Sequence, residues 1–210
     1  EKEDISQEKS DDIQEAIIVE NIVPEFEKKE VRKTTTFDIH PEIRNDERNQ
    51  FVIQDDNLGV GTPKEKYQNN INAIKILKIC EEENRFATKE EQNILSKYVG
   101  WGGLSQAFDE NNIQWNNEYT ELKSLLTEEE YKNAMESTLP AFYTPPIVIR
   151  AMYKALENMG FKNGNILEPS CGTGNFLGMV PETLKTSNLY GIELDSISGR
   201  IARQLYQKSS

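Results

Sequence analysis

Residues suited to metal or thiol chemistry are scarce in this sequence. Its 210 residues include two cysteines, Cys80 and Cys171, and one histidine, His40, and no Cys-x-x-Cys pair occurs. A His/Cys metal cluster cannot be assembled from so few ligands, and two widely separated thiols are typical of a reducing compartment. His40 lies in a polar stretch, so we expect it at the surface rather than in a catalytic site.

Long apolar runs and an excess of basic residues are lacking as well. No stretch has the length and apolarity of a membrane-spanning helix, and no secretory signal is visible, so we expect a cytoplasmic protein without membrane contact. The formal net charge is −12. Such a charge repels nucleic-acid phosphates overall, and a broad basic DNA-binding surface is therefore not expected within these residues.

Acidic charge is concentrated near the beginning of the sequence. Residues 1–50 hold fifteen acidic and eight basic residues, with only short apolar interruptions. This composition is typical of a solvated linker or interaction arm. We predict three segments: a flexible acidic arm over 1–56, a helical domain over 57–138, and a segment with an α/β pattern over 139–210.

The helical segment carries clear start signals and one glycine-rich interruption. Apolar residues recur at helical spacing over 67–77, and Thr88 and Thr127 each begin a capping-box pattern. Between them, three glycines surround Trp101, and such glycine density breaks a helix. Trp101 either fills the core between helices at a buried turn or is presented to a base or partner by a hinge or wall. We favour the first interpretation, and we expect Trp115 to be a packing residue too.

The third segment contains a glycine loop of the kind that binds a nucleotide-type cofactor. An apolar strand ends at Glu168, and Gly172 and Gly174 follow before a predicted helix. Glycines permit a sharp turn and close backbone approach, and the first N–H groups of a helix face a bound ligand. The spacing is not that of a dinucleotide loop, because Leu177 occupies the third glycine position, and no Gly-Lys-Ser/Thr phosphate loop is present.

Patterns on both sides accompany this loop. Upstream, Tyr143 and Thr144 precede two prolines and a helical pattern over 147–159, and we predict Thr144 as the N-cap with Pro145 in the first helical position. Downstream, a strand pattern over 189–195 ends in acidic residues. Glu193 lies about twenty residues beyond the glycines, where a carboxylate at the end of a second strand can accept hydrogen bonds from ribose hydroxyls.

The glycine loop resembles the first motif of S-adenosylmethionine (SAM) methyltransferases. Tyr-Thr-Pro, then Glu-Pro-x-x-Gly-x-Gly-Asn-Phe, then Gly-Ile-Glu-Leu-Asp together resemble the adenine-N6 DNA methyltransferases of restriction–modification systems. This resemblance implies an α/β fold in which an incomplete Rossmann-like methyltransferase domain follows the helical region. It also implies SAM as the cofactor and transfer of its methyl group directly to an adenine amino group.

The resemblance assigns one group of residues to the methionine end of SAM. Tyr143 and Thr144 would help to hold its carboxylate and amino groups, and Glu168, Pro169 and Ser170 would form the loop beneath it. Simpler interpretations stay open from the sequence. Thr144 could be no more than a helix cap, and Glu168 could be a strand-end carboxylate that bonds local amides.

A second group is assigned to the rest of the cofactor. Gly172 and Gly174 would give close backbone approach, Glu193 would bind the ribose, and Leu194 would pack on the adenine ring. The glycines could instead form an ordinary strand–helix turn. Asp195 has no counterpart in the resemblance, and we expect it to cap the following helix.

The helical segment carries a resemblance of its own. Its motifs resemble very large methyltransferase–helicase proteins of bacterial conjugative elements and phages, over about Asn57 to the end of the sequence. No helicase motif is present, so helicase activity is expected of a longer parent protein. The motifs that carry this resemblance are Asn70-Ile71-x-Ala73-Ile74, Arg85-Phe86-Ala87-Thr88, Glu91-Gln92 and Tyr98-Val99-Gly100-Trp101-Gly102-Gly103-Leu104.

A motif for base chemistry is lacking. Related methyltransferases use an Asn/Asp/Ser-Pro-Pro-aromatic motif on a flipped base, and this sequence contains none; the nearest match, over 144–147, has isoleucine in fourth place. We therefore expect a fragment that stops before the catalytic motif and is inactive alone. DNA would be contacted by other parts of the parent protein. Two strands of a larger sheet would need cover from further strands, a second copy or the helical domain.

Two other functions stay open from the sequence. The chain could be a non-catalytic binding or regulatory module of a mobile-element DNA-processing or anti-restriction protein that does not use SAM. A related fold could also methylate RNA or protein, because cofactor motifs alone do not identify the methyl acceptor.

Overall fold

The computed structural model describes residues 38–138 and 144–209. Most of the predicted arm and Tyr143 lie outside these ranges. None of the helices within them is both long and apolar enough to cross a membrane. The described elements are the helices α1 (Pro63–Glu82), α2 (Lys89–Leu95), α3 (Asn116–Leu125), α4 (Glu128–Glu136), α5 (Pro146–Asn158), α6 (Asn175–Gly178) and α7 (Ser196–Leu205), the strands β1 (Asn165–Glu168) and β2 (Asn188–Gly191), and 3-10 turns at Ser105–Phe108, Ile113–Trp115 and Glu182–Leu184.

Three helices begin with a complete capping box. Thr62, Thr88 and Thr127 each accept a hydrogen bond from the backbone N–H three residues later, and the glutamate there bonds back to the threonine N–H. Two of these were predicted from sequence and are confirmed. The box at Thr62 was not foreseen. Each cap satisfies backbone donors that a helix start otherwise leaves unpaired.

Aromatic side chains fill the core of the helical region. Trp101 is 2% exposed and Trp115 is 7% exposed, so the predicted packing role of both is confirmed. The Trp101 ring lies edge-on to Phe108, with 5.3 Å between centroids, and is 6.2 Å from Tyr67. The Trp115 ring lies edge-on to Tyr67, with 5.9 Å between centroids. Such tilted and edge-to-face pairs are a favoured geometry of aromatic rings.

The two strands form a small parallel sheet with Glu168 opposite Gly191. The described residues therefore give a mixed α/β arrangement of helices and a two-stranded sheet. The helix predicted after the glycine loop is a single turn, α6, because Pro181 follows closely and disfavours helical backbone in the residue before it. The second strand is also shorter than predicted and ends at Gly191, before Glu193.

Helix α7 joins the sheet to the helical region. Its apolar residues Ile197, Ile201 and Leu205 belong to the same buried cluster as the core of α1. On its rim, Arg200 bridges Glu81 of α1 and Glu130 of α4, with N–O distances of 2.5 Å to each. Burial raises the pKa of Glu130, but hydrogen bonds from Arg200 and other donors outweigh this and hold it at about 2.

Residues 38–53 pack against α6, α7 and the segment before α2. Phe51 N donates to Leu205 O at 2.9 Å and Ile53 N donates to Gly178 O at 2.8 Å. His40 is 3% exposed and its ring meets Phe86 edge-on at 4.6 Å. The prediction of a surface histidine is therefore wrong, because an aromatic partner outside the polar stretch covers it. The described residues form one compact unit.

Several apolar side chains of α5 and of the strand ends are exposed. The inner face of α5 is buried through Ile149 and Tyr153, and Tyr153 Oη donates to Phe176 O at 2.8 Å. The opposite face of α5 and the tips of the strands are open. The exposed apolar residues there include Ile147, Met152, Leu156, Met159, Leu167 and Ile192.

Candidate cofactor site

The glycine loop connects β1 to α6 and is bonded to the residues that follow β2. Ile192 N donates to Glu168 O at 2.9 Å, and Cys171 N donates to Ile192 O at 3.0 Å, so the loop continues the bonding of the sheet. Gly172 and Gly174 then have φ of 55° and 88°. These positive values are costly for residues with a Cβ, which explains glycine at both positions.

The Glu193 side chain is held in place by backbone donors. Its Oε2 accepts from Gly172 N at 2.6 Å, and its Oε1 accepts from Asp195 N at 2.8 Å. A carboxylate has about four acceptor positions, so each oxygen keeps capacity for a further donor. Asp195 caps α7 by accepting from Ser198 N at 2.9 Å, which confirms its predicted capping role. The turn after β2 thus presents a fixed carboxylate beside the glycine loop.

A cavity of about 200 Å³ lies between this turn, the glycine loop and the helical region. Five of the residues singled out from the sequence meet at its wall: Thr144, Glu168, Ser170, Gly172 and Glu193. The other residues that line it are Tyr98, Gly100, Trp101, Ser137, Cys171, Asn175, Phe176, Asp195 and Ser198.

The remaining residues singled out from the sequence are not part of this wall. Gly174 is buried behind the loop, where an added Cβ would lie 2.7 Å from Cδ2 of Tyr206 and closer still to Cε2. Pro169 is exposed, and Leu194 is 99% exposed. Tyr143 lies outside the described residues. Thr144 lines the cavity but does not cap α5, so that prediction is wrong: the helix begins at Pro146, with Pro145 in the cap position.

Carboxylates dominate the electrostatics of the cavity. Glu168, Glu193 and Asp195 line it, and the described lining residues include no lysine, arginine or histidine. Burial raises the pKa of Glu168, and a hydrogen bond from the Ser170 backbone opposes this. Burial, together with the charge of Glu193, raises the pKa of the Cys171 thiol to about 11, so this thiol stays protonated and unreactive at neutral pH. Within the described ranges, no three His, Cys, Asp or Glu side chains are grouped to hold a metal ion.

The helical region supplies part of the wall, which the sequence did not predict. Tyr98, Gly100 and Trp101 line the cavity opposite the glycine loop. Glycine density around Trp101 was the available signal, and it allowed either a core residue or a wall. Trp101 is both, since it is buried in the aromatic core and also borders the cavity.

Comparisons with known proteins give two partial similarities. The chain is 37% identical over 62 residues to M.CvrRI, a type II methyltransferase of Paramecium bursaria Chlorella virus XZ-6E, which is 30% of this chain and 16% of that protein. It is 27% identical over 124 residues to defense against restriction protein B of Escherichia phage P1, which is 59% of this chain and 4% of that protein. The aligned parts thus span less than a fifth of either relative. No family model matches the chain, and no solved structure does. The chain is therefore related in part to a methyltransferase and to a phage anti-restriction protein.

Proposed function

We propose that this chain contains the SAM-binding part of a DNA methyltransferase that acts on adenine N6, within a longer protein of the methylase–helicase type. One observation carries the proposal. Thr144, Glu168, Ser170, Gly172 and Glu193, each singled out by sequence pattern, come from three separate chain segments and meet at one cavity. The partial similarity to a type II methyltransferase supports the same assignment.

The chemistry of the cavity suits this cofactor. SAM, which supplies the methyl group when bound, carries a net positive charge, and a wall with carboxylates from Glu168, Glu193 and Asp195 attracts cations. A volume of about 200 Å³ is below the roughly 300–1,000 Å³ of complete small-molecule pockets. The cavity would therefore enclose the methionine end and the ribose and leave the adenine outside, against the exposed side chain of Leu194.

Glu193 would bind the ribose without rearrangement. Its two oxygens are oriented by Gly172 N and Asp195 N, and their remaining lone pairs would accept the ribose hydroxyls. Glu168 would lie near the positively charged end of the methionine part. These residues bind and orient the cofactor, and the proposal gives them no role in activating the adenine amino group.

Base chemistry and DNA contact are assigned to other parts of the longer protein. No Asn/Asp/Ser-Pro-Pro-aromatic motif occurs in the sequence, and its net charge of −12 disfavours phosphate. The exposed apolar residues of α5 and β1 would be covered by further strands of that protein or by a second copy of this chain.

Calorimetric titration with SAM tests the proposal. Wild type is expected to bind, and Glu193→Gln is expected to weaken binding by about 1–3 kcal/mol, since hydrogen bonds to a charged acceptor are lost. Glutamine keeps an acceptor for one of the two backbone N–H groups, so the loop is less disturbed than by alanine. Glu182→Gln, a change to an exposed carboxylate outside the cavity wall, is the matched control. Absence of binding by wild type, or equal affinity in both variants, would refute the proposal.

The longer similarity to the phage anti-restriction protein favours one alternative. It extends over 124 residues, twice the length of the similarity to the methyltransferase. In this alternative the chain is a non-catalytic module that keeps the architecture of the cavity without using SAM. The same titration separates the two functions, because the alternative requires a folded chain that does not bind SAM.

A further inference from the structure

The segment 98–101 follows α2 and forms the wall of the cavity opposite the glycine loop. Its residues Tyr98, Gly100 and Trp101 precede the loop by about seventy positions, yet they border the same space as Glu168 and Glu193. The cavity therefore does not belong to the glycine-loop segment alone.

Asn70 holds this wall from behind. Its side chain is fully buried in α1, its Nδ2 donates to Gly100 O at 2.6 Å, and its Oδ1 accepts from Val99 N at 2.9 Å. One amide thus satisfies the carbonyl of one wall residue and the N–H of its neighbour. Gly100 has a φ of 70°, so the chain turns sharply at the residue whose carbonyl accepts from the Asn70 amide.

Trp101 lies at the wall of the cavity and is held there by aromatic neighbours. Its ring is fixed between Tyr67 and Phe108, and its Nε1–H is buried without a hydrogen-bond partner among the described residues. With Tyr98 and Phe176, Trp101 also makes the wall aromatic, which favours a cation such as a sulfonium.

We propose that the segment 98–101, positioned by Asn70, is a wall of the SAM site, and that Trp101 contacts the bound cofactor. The helical region is then part of the cofactor site and not a separate neighbour of it. Asn70 is a positioning residue, since it touches the wall and does not itself line the cavity. This inference rests on the function proposed above.

Tryptophan fluorescence tests the contact directly. The sequence contains two tryptophans, and Trp115 is not among the residues that line the cavity. In a Trp115→Phe variant of the full 210-residue chain, all tryptophan emission comes from Trp101. Adding SAM is expected to change this emission with the same Kd that calorimetry gives. Unchanged emission at saturating SAM, with binding verified by calorimetry, would overturn the contact.

A matched pair of amide-to-acid variants tests the positioning role. Asn70→Asp removes the donor to Gly100 O, and Gln92→Glu likewise removes a buried donor to Gln204 O and Leu205 O, away from the cavity. Both are expected to lower the thermal midpoint. Only Asn70→Asp is expected to weaken SAM binding, by about tenfold, measured on folded protein.

The outcomes separate this inference from the proposed function. If wild type binds SAM and Asn70→Asp keeps the wild-type Kd, the positioning role is overturned and the proposed function stands. If wild type does not bind SAM, the proposed function fails and this inference fails with it. If Asn70→Asp does not fold, the proposal is tested by the emission of Trp101 in the Trp115→Phe variant, and unchanged emission at saturating SAM overturns it.

Discussion

Gly174 offers the sharpest test of how the glycine loop is built. The residue has a φ of 88°, and its α-carbon faces the buried ring of Tyr206 and does not border the cavity. Gly174→Ala therefore combines two costs: a left-handed conformation for a residue with a Cβ, and a methyl group placed within 2.7 Å of Tyr206 Cδ2. The first costs about 1–2 kcal/mol, and forcing a group into a filled core costs about 1–3 kcal/mol more.

Gly160 provides a control with almost the same backbone. Its φ is 89°, and an added Cβ would meet no atom within 4 Å. Gly160→Ala should therefore lose about 1–2 kcal/mol from the left-handed conformation alone. Urea unfolding followed by circular dichroism gives both free energies, provided that the denaturant slopes match. We expect Gly174→Ala to lose about 2–5 kcal/mol.

A double variant isolates the contact with the ring. Tyr206→Leu removes the ring that an alanine at 174 would meet, so the two changes together should cost less than their sum, by about 1–2 kcal/mol. Equal losses in Gly174→Ala and Gly160→Ala, or strict additivity with Tyr206→Leu, would refute the reasoning. Gly174 would then be explained by backbone conformation alone.

Two further predictions concern ion pairs. Arg200→Ala is expected to lower the free energy of unfolding by about 2–3 kcal/mol, because Glu130 is left largely buried with fewer partners. Lys75→Ala removes an exposed ion pair and should cost under about 1 kcal/mol. Equal losses in urea unfolding would contradict this prediction. The pKa of Glu91, held down by hydrogen bonds from Arg85, and that of Glu130 both fall to about 2 from 4.5. Their contribution to stability is therefore complete above pH 4.5 and is lost as the pH falls from there to about 2. Urea midpoints across this window should fall less steeply in Glu91→Gln than in wild type, and parallel profiles would count against the assignment.

Local signals carried most of what the sequence predicted. The capping boxes at Thr88 and Thr127 and the helix α7 follow from short-range pattern, because each depends on neighbours within a few residues. The parallel pairing of the two strands was instead implied by the resemblance to a Rossmann-like fold. The meeting of Glu168 and Glu193 also follows, since the ends of adjacent parallel strands share one edge of a sheet.

Contacts across long sequence separations were not predictable in this way. His40 looked like a surface residue because its neighbours are polar, and its aromatic partner lies 46 positions away. The wall formed by Tyr98 and Trp101 was not predictable for the same reason: nothing near Trp101 in the sequence identifies the glycine loop that it faces. Gly174 was predicted to face the cofactor, but its α-carbon faces the ring of Tyr206, which lies far away in the sequence.

The packing of residues 49–53 against α7 has a consequence for folding kinetics. Asn49 N donates to the Gln207 side chain across 158 positions, and Phe51 and Ile53 bond to Leu205 and Gly178, which are also more than a hundred positions away. Such contacts require a very large loop to close before they contribute, so they raise the contact order of the unit and slow its folding. During synthesis, the segment around Phe51 would wait without its partners until α7 emerges. We expect these contacts to form after the transition state of folding. Gln207→Ala should then lower the free energy of unfolding mainly by raising the unfolding rate, with little change in the folding rate.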